Sequence, residues 1–377
     1  MSLTREQICQ QTSKKLLTAA PTMSSIKAMI GLDGFVDEII GVVDKRASAT
    51  EYTLVKTIDA LGKKILHAAG QSSNYEMLVK QVKLGGNGPI MANAMASAGL
   101  GVTYVGNLGY PSIHPVFEEF TKRAKVISIA EPGTTEALEF EDGKLMLGKH
   151  QTLKDVNWDN LVSRVGLDAL KKILGDATFI GMVNWTMLPF MSAIWSKLLT
   201  DIFPHLPKTG RTFFVDLADP EKRTNQDLLD AMNTLTKFQQ QADVILGLNL
   251  KEAVQVAEVL GIAAAKDPEA AIEEMAVLIR NKIDIGCVVI HPRSGAAAAT
   301  IDHSAKFKGP FVQQPKISTG AGDHFNAGFC LGRVLGLTLE ESLCTGVGTS
   351  GYYVRTANSP SAAQLAEFVA DLPAPQA

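Results

Sequence analysis

The sequence predicts an α/β fold built on a mostly parallel sheet with helices on both faces. Short apolar runs alternate with helix-patterned segments along most of the 377 residues. Such alternation is the mark of βαβ units, whose strands are buried on both sides and read as continuous apolar stretches. Glycine is plentiful at 32 residues while aromatics make up only 6%, which suits a chain of many short connections. Two stretches interrupt the rhythm, one of them alternating around Asp142-Gly143 as a hairpin does.

In chain order, Thr4 to Ala20 reads as a polar amphipathic helix, and residues 1–27 as an N-terminal helical extension. The buried-strand candidates are Ala28–Leu32, Val102–Gly106, Thr178–Val183, Thr212–Asp216, Val244–Leu248 and Cys287–Ile290. Helical patterns lie at Leu188–Leu199, Asn225–Gln241, Leu250–Leu260, Pro268–Lys282, Asp323–Leu335 and Leu339–Thr356. Thr135–Lys149 alternates around Asp142-Gly143, which predicts a hairpin standing off the main sheet. Arg46 to Lys83 reads as an inserted helical pair joined near Gly70-Gln71-Ser72-Ser73. With no internal repeat and no long linker, residues 28–377 are expected to form one domain carrying a small β flap.

Composition narrows the function. At 46% hydrophobic and 20% charged, the chain can bury a large core. A net charge of −3 offers no polybasic face for nucleic acid or an anionic membrane. No apolar run approaches the ~20 residues needed to span a bilayer. Cys9, Cys287, Cys330 and Cys344 are scattered without a Cys-x-x-Cys pair, which fits a reducing compartment, and the cytoplasm is the expected location. The seven histidines show no metal-ligand spacing.

The most informative stretch is Ser318-Thr319-Gly320-Ala321-Gly322-Asp323-His324-Phe325. Glycines at a helix start let an anion approach unpaired N–H groups, and the helix dipole favours its charge. This is a phosphate site with a carboxylate at its edge. The plain alternative is that Asp323 only caps the helix.

Thr319–Asp323 followed by Phe325 resembles the signature of the ribokinase-like (PfkB) family of carbohydrate and nucleoside kinases. Other segments agree in order. Gly85-Gly86-Asn87-Gly88-Pro89 resembles that family's N-terminal glycine-pair motif, and Val102–Gly109 the strand and turn that follow it. Phe213-Phe214-Val215-Asp216 and Asn249-Leu250-Lys251-Glu252 are similar to its central Asp strand and its Asn-x-x-Glu motif. Tyr353-Val354-Arg355 to Pro360 is similar to its closing segment. The likeness runs from about Met29 to Pro360. It implies a three-layer α/β/α ribokinase-like domain with a mostly parallel central sheet. It also implies a small β lid, with segments near 34–45 and 132–150 and a helical insertion near 46–83.

The resemblance implies ATP and Mg2+ as cofactors and a sugar or related hydroxyl compound as acceptor. Asp323 would be the general base and the backbone of Gly320, Ala321 and Gly322 the anion hole. Asp37, or its rival Asp33, would bind acceptor hydroxyls together with Gly85, Gly86 and Asn87. Asn249, Gly295, Thr319 and Asn358 would contact ATP. Asn249 and Glu252, three apart at a helix start, would hold Mg2+ through water, or merely form a capping box. Asp216 and Asn184 end strands at the edge where such sheets bind ligands. Lys144, Lys149 and His150 could meet an acceptor phosphate, or be solvated. An exposed lid edge makes a homodimer through the lid an expectation.

Three departures stand out. Ile317-Ser318 replaces the Asp-Thr that accompanies a monovalent-cation site in the family. Ile90 stands where an Asn is usual. Ile290-His291-Pro292-Arg293-Ser294-Gly295 keeps only the last glycine of a nucleotide-contacting segment. The rival from another class is a non-catalytic sugar or nucleotide sensor on a kinase scaffold. A dinucleotide fingerprint fails because Met91 takes the third glycine's place. No Gly-x-x-x-x-Gly-Lys-Ser/Thr is present. His324 is expected on the helix surface.

Overall fold

A computed structural model describes residues 3–207 and 210–375. The outer limits of the expected extension and domain, residues 1 and 377, lie outside the described residues. The strands, in chain order, are β1 (Lys27–Leu32), β2 (Phe35–Arg46), β3 (Tyr52–Leu54), β4 (Met77–Gly85), β5 (Gly101–Gly106), β6 (Lys125–Ser128) and β7 (Gly133–Phe140). There follow β8 (Gly143–Lys149), β9 (Phe179–Met182), β10 (Thr212–Asp216), β11 (Asp243–Leu248), β12 (Cys287–Ile290), β13 (Gly295–Thr300) and β14 (Ser304–Lys308). The main sheet runs β14-β13-β12-β11-β10-β9-β1-β5-β6. It is parallel from β12 to β6, with β13 and β14 added antiparallel at one edge.

Two cores follow from the period of two along each strand. In β10, Phe213 and Val215 face one layer while Phe214 faces the other. In β11, Val244 and Leu246 oppose Ile245 in the same way. One layer is built on Trp195, Phe213 and Phe238, with the last two rings stacked at 4.1 Å. Such a pair adds ~0.5–1.5 kcal/mol beyond the area it buries. The other layer contains Leu16, Met95, Phe329 and Leu343, from helices Arg5–Ala19, Asn87–Ala98, Ala321–Val334 and Leu339–Thr356. All six strands read from the sequence are present. The first helix starts at a Thr4–Gln7 capping box and ties to the last layer through Lys15 and the buried Glu341.

The hairpin around Asp142-Gly143 is β7–β8, with Phe140 opposite Gly143. It joins β2, β3 and β4 in a second sheet whose small core is Ile40, Val42, Val55, Leu61 and Leu138. Residues 46–83 are not a helical pair. They hold one helix, Ile58–His67, and then β4, which pairs antiparallel with β2. In β4 the sequence mixes Lys80, Gln81 and Lys83 with exposed Met77, Val79 and Val82. Its pattern follows the two solvated faces of a strand off the core, and resembles a helix in period. The Asp142 carboxylate accepts a hydrogen bond from the N–H of Ile58 at 2.8 Å, tying the hairpin tip to that helix.

The helix that carries Asp323 is pressed against Leu339–Thr356 through Gly328 and Gly332, four apart on one face. A Cβ at Gly332 would sit 2.7 Å from the Cα of Ser342, and one at Gly328 would collide with Thr349. Gly332→Val is expected to lower the free energy of unfolding by roughly 1–3 kcal/mol, the usual cost of overpacking, read as a lower urea midpoint at unchanged slope.

Candidate active site

The site lies at the carboxyl ends of β1, β9 and β10, where a parallel sheet opens to ligands. Asp33 follows β1, Asn184 follows β9 in a left-handed conformation (φ 60°), and Asp216 ends β10. Two helix N-termini converge there. Helix Asn87–Ala98 begins at Gly86, whose φ of 94° favours glycine. Helix Ala321–Val334 begins at Gly320, with φ 89°. Gly320 is therefore the N-cap and Asp323 stands at the third helical position, so the reading of Asp323 as the capping residue does not apply.

Asp323 instead points at the other helix start. Its Oδ1 accepts a hydrogen bond from the Asn87 amide at 2.8 Å. Burial pushes its pKa up to about 8, opposed by the Asn87 hydrogen bond, with the Asp33 and Glu252 carboxylates adding to the rise. A carboxyl group poised there is matched to proton abstraction near neutrality.

Two cavities meet at this helix start. The larger, about 500 Å³, is bounded by Ser318, Thr319, Ala321 and Gly322 on one side, with Phe311 and Val347 among its apolar walls. Arg293 and Gly295 also line it. The smaller, about 340 Å³, is bounded by Thr319, Gly320 and Asp323, and by Asp37, Gly86 and Asn87 across from them. The backbone from Ser318 to Asp323 is thus the partition between a larger slot of mixed polar and apolar lining and a carboxylate-lined cup.

Of the residues singled out in the sequence, Asp37, Gly86, Asn87, His150, Asn184, Thr319, Gly320 and Asp323 come together in the smaller cavity, and Gly295, Thr319, Ala321 and Gly322 in the larger, while Gly85 lines neither. Asp33 and Asp37 separate clearly. Asp33 is sealed, its two oxygens taken by the Gly88 N–H and the Asn184 amide, each at 2.8 Å. Burial, opposed by those bonds, raises its pKa to about 6. Asp37 lines the cup, and any side chain at Gly85 would strike its carboxylate. Asn249 and Glu252 form a capping box. The Glu252 carboxylate accepts N–H groups of Asn249 at 2.9 Å and Asp219 at 3.0 Å. Neither residue lines either cavity, and Asn358, hydrogen-bonded to Thr356, does not either. Asp216 is buried beside Asn326, whose amide donates to it at 2.8 Å. Its pKa is raised by burial, then by Glu252 and Asp323.

The lid contributes Phe35, Thr135, Met146 and His150 to the cup, and the loop after β10 contributes Asp219 and Lys222. Asp219-Pro220 at a strand end was a readable turn signal for that loop. Ile90 lines the cup and lies 3.3 Å from where a Cβ on Gly320 would be. His324 is buried, not on the helix surface: its ring stacks on Tyr353 at 3.6 Å between centroids.

This geometry agrees with what the chain is similar to. The family model of prokaryotic ketohexokinase matches residues 8–372. The chain is 30% identical over 347 residues to a ketohexokinase of Haloferax volcanii, covering 91% of this chain and 90% of that protein. Among solved structures it resembles Arabidopsis thaliana ribokinase complexed with ribose and ATP, at a TM-score of 0.61 and 14% identity, over 92% of this chain and 99% of that one. It also resembles Escherichia coli phosphofructokinase-2, at a TM-score of 0.61 and 15% identity, with the same coverage. The chain is a ribokinase-like carbohydrate kinase and belongs to the prokaryotic ketohexokinase family.

Proposed function

We propose that this kinase transfers the γ-phosphoryl group of ATP to a hydroxyl of an unphosphorylated ketohexose, with Asp323 as general base. The observation that carries the reading is the shared wall: Asp323 faces one cavity while Ala321 and Gly322, in the same helical turn, face the other. A hydroxyl in the cup would give its proton to Asp323. The phosphoryl group, arriving from the slot, would meet the N–H groups of the first helical turn as its charge develops. Phe311, Val312, Val347 and Val354 would enclose the adenine. Lid residues closing over the cup would exclude the water that competes for the phosphoryl group.

Charge in the cup supports a neutral acceptor. Lys222 is the one lysine or arginine among its lining residues and lies 4.0 Å from Asp219, and the pKa of His150 is lowered by burial and then by Lys222, keeping it neutral. Lys144 and Lys149 are held by Glu139 and Glu136, at 2.7 and 2.5 Å. A sugar phosphate would therefore find in the cup one lining cation, already beside Asp219. Among the described residues, no three His, Cys, Asp or Glu converge as direct metal ligands, so Mg2+ is read as the companion of the nucleotide. When bound it neutralises phosphate charge. Glu252 and Asn249, committed to their capping box, would reach it only through water. The sensor reading has no observation in its favour. A homodimer through the lid is proposed on the exposed Met77, Val79 and Val82 of β4, which pairs with β2 alone among the described strands.

With ATP and magnesium, fructose or another ketohexose should turn over and the corresponding sugar phosphates should not. Asp323→Asn should lower kcat by ~10²- to 10⁴-fold, the usual contribution of a positioned base; unchanged turnover in the variant would remove Asp323 from the mechanism. The same substitution has a stability signature. Folded Asp323 keeps its proton to about pH 8, against an ordinary value of 3.8, so between those limits the folded chain binds more protons than the unfolded one. Wild type should therefore lose stability relative to Asp323→Asn as pH rises through that window, seen as a widening gap in Tm. Gly322→Val, whose Cβ meets only His291 at 3.4 Å, should keep the fold and reduce kcat/KM for ATP by about 10²-fold, the scale of a lost anion-hole donor.

A further inference from the structure

Gly320 and Gly322 make the anion hole approachable, but they also leave its backbone permissive. Something must hold it. The Tyr353 hydroxyl donates to the carbonyl of Thr319 at 2.9 Å. His324 Nδ1 lies 2.7 Å from the carbonyl of Gly320, which also accepts the His324 backbone N–H at 3.1 Å. A carbonyl can only accept, so Nδ1 carries the proton. Burial holds the ring neutral, with its pKa lowered to about 4. Nε2 therefore accepts, and its partner at 2.8 Å is the Ser359 hydroxyl. The two rings lie face to face, 3.6 Å apart and 12° from parallel. Behind them Ser359 accepts from Asn93 at 3.3 Å, whose own amide oxygen accepts from Arg123 at 3.0 Å.

In a trans peptide the C=O and N–H point in opposite directions. Two successive carbonyls, of Thr319 and Gly320, are drawn to the same stacked pair, which fixes the planes of both peptides leading into the helix. Those planes carry the N–H groups of Gly320 and Ala321, the latter donating to the Ser318 carbonyl at 3.2 Å, and they set the course of the chain into the helix, and with it the directions of the following Gly322 and Asp323 N–H groups and of the Asp323 side chain. We propose that His324 and Tyr353 are positioning residues for phosphoryl transfer, a stacked clamp that aims the Gly320–Asp323 turn without touching either substrate. This rests on the reading of that turn as the transfer site.

The test uses His324→Phe and Tyr353→Phe, which keep the stack and remove only hydrogen bonds, their double variant, and His324→Asn, whose amide can again donate to the Gly320 carbonyl. Each Phe variant should lower kcat about tenfold, below the 10²-fold of a deleted donor, while KM for ATP and for the sugar stay within twofold. Affinity for magnesium, ADP and aluminium fluoride, a mimic of the transferring group, should fall by the same factor as kcat, with affinity for ADP alone unchanged. The double variant should lose less than the product of the singles, because both act on one backbone turn. His324→Asn should regain most of the loss in kcat. Losses that appear equally in ADP affinity and Tm would mean a merely structural role and overturn the proposal, as would wild-type kcat in both Phe variants. Absence of kinase turnover in wild type itself would instead overturn the reading of the site, and the clamp with it.

Discussion

The structure depends on holding one carboxyl group out of water at the start of a helix. Asp323 is buried, and its one side-chain donor, Asn87, comes from the start of another helix that is itself fixed by Asp33. Burying a carboxylate with a single neutral partner is unfavourable. The cost appears as a pKa near 8, so about a tenth of the group is ionised at pH 7, and that fraction is a stronger base than an ordinary carboxylate. Everything that keeps the group in place is therefore structural expense turned to chemical use: the glycine contact between the two C-terminal helices, the clamp of His324 and Tyr353, and the capped helix behind Asp219.

Around that group the molecule is divided by a single stretch of backbone. One face of the Ser318–Asp323 segment looks into the larger slot, the other into a cup walled by the lid. The lid is continuous with the main sheet because β2 follows β1 after only Asp33 and Gly34. Asp33 sits at that junction and ties β1, β9 and helix Asn87–Ala98 together. Asp37, four residues on, reaches the cup. The two acids that look interchangeable in the sequence thus do different work. One organises the junction and the other lines the cup.

Much of this was legible from residues alone. The buried parallel strands announced themselves as continuous runs such as Val244–Leu248, and the β7–β8 hairpin by its Asp-Gly turn. The glycine-rich helix start was readable because few other structures need two glycines and an acid in that order. Other parts were not readable, for identifiable reasons. β4 carries lysines and a glutamine because both its faces meet solvent, so its period misleads. β13, Gly-Ala-Ala-Ala-Ala-Thr, is buried yet has none of the β-branched bulk that marks a strand until its last residue. His324 reads as an exposed helical residue because its partners, Tyr353 and Ser359, are distant in sequence. Lys222 and Asp219 enter the cup from a loop whose course only the folded sheet defines.

The most direct test of the account is the titration of Asp323 itself. Carbon-13 NMR of protein labelled at the aspartate carboxyls, with the signal assigned by its loss in Asp323→Asn, would read its ionisation in the free enzyme. Burial, moderated by Asn87, should give an apparent pKa near 8. A value near the ordinary 3.8 would mean that the group is solvated in the working protein, and would contradict the claim that its burial makes it the base.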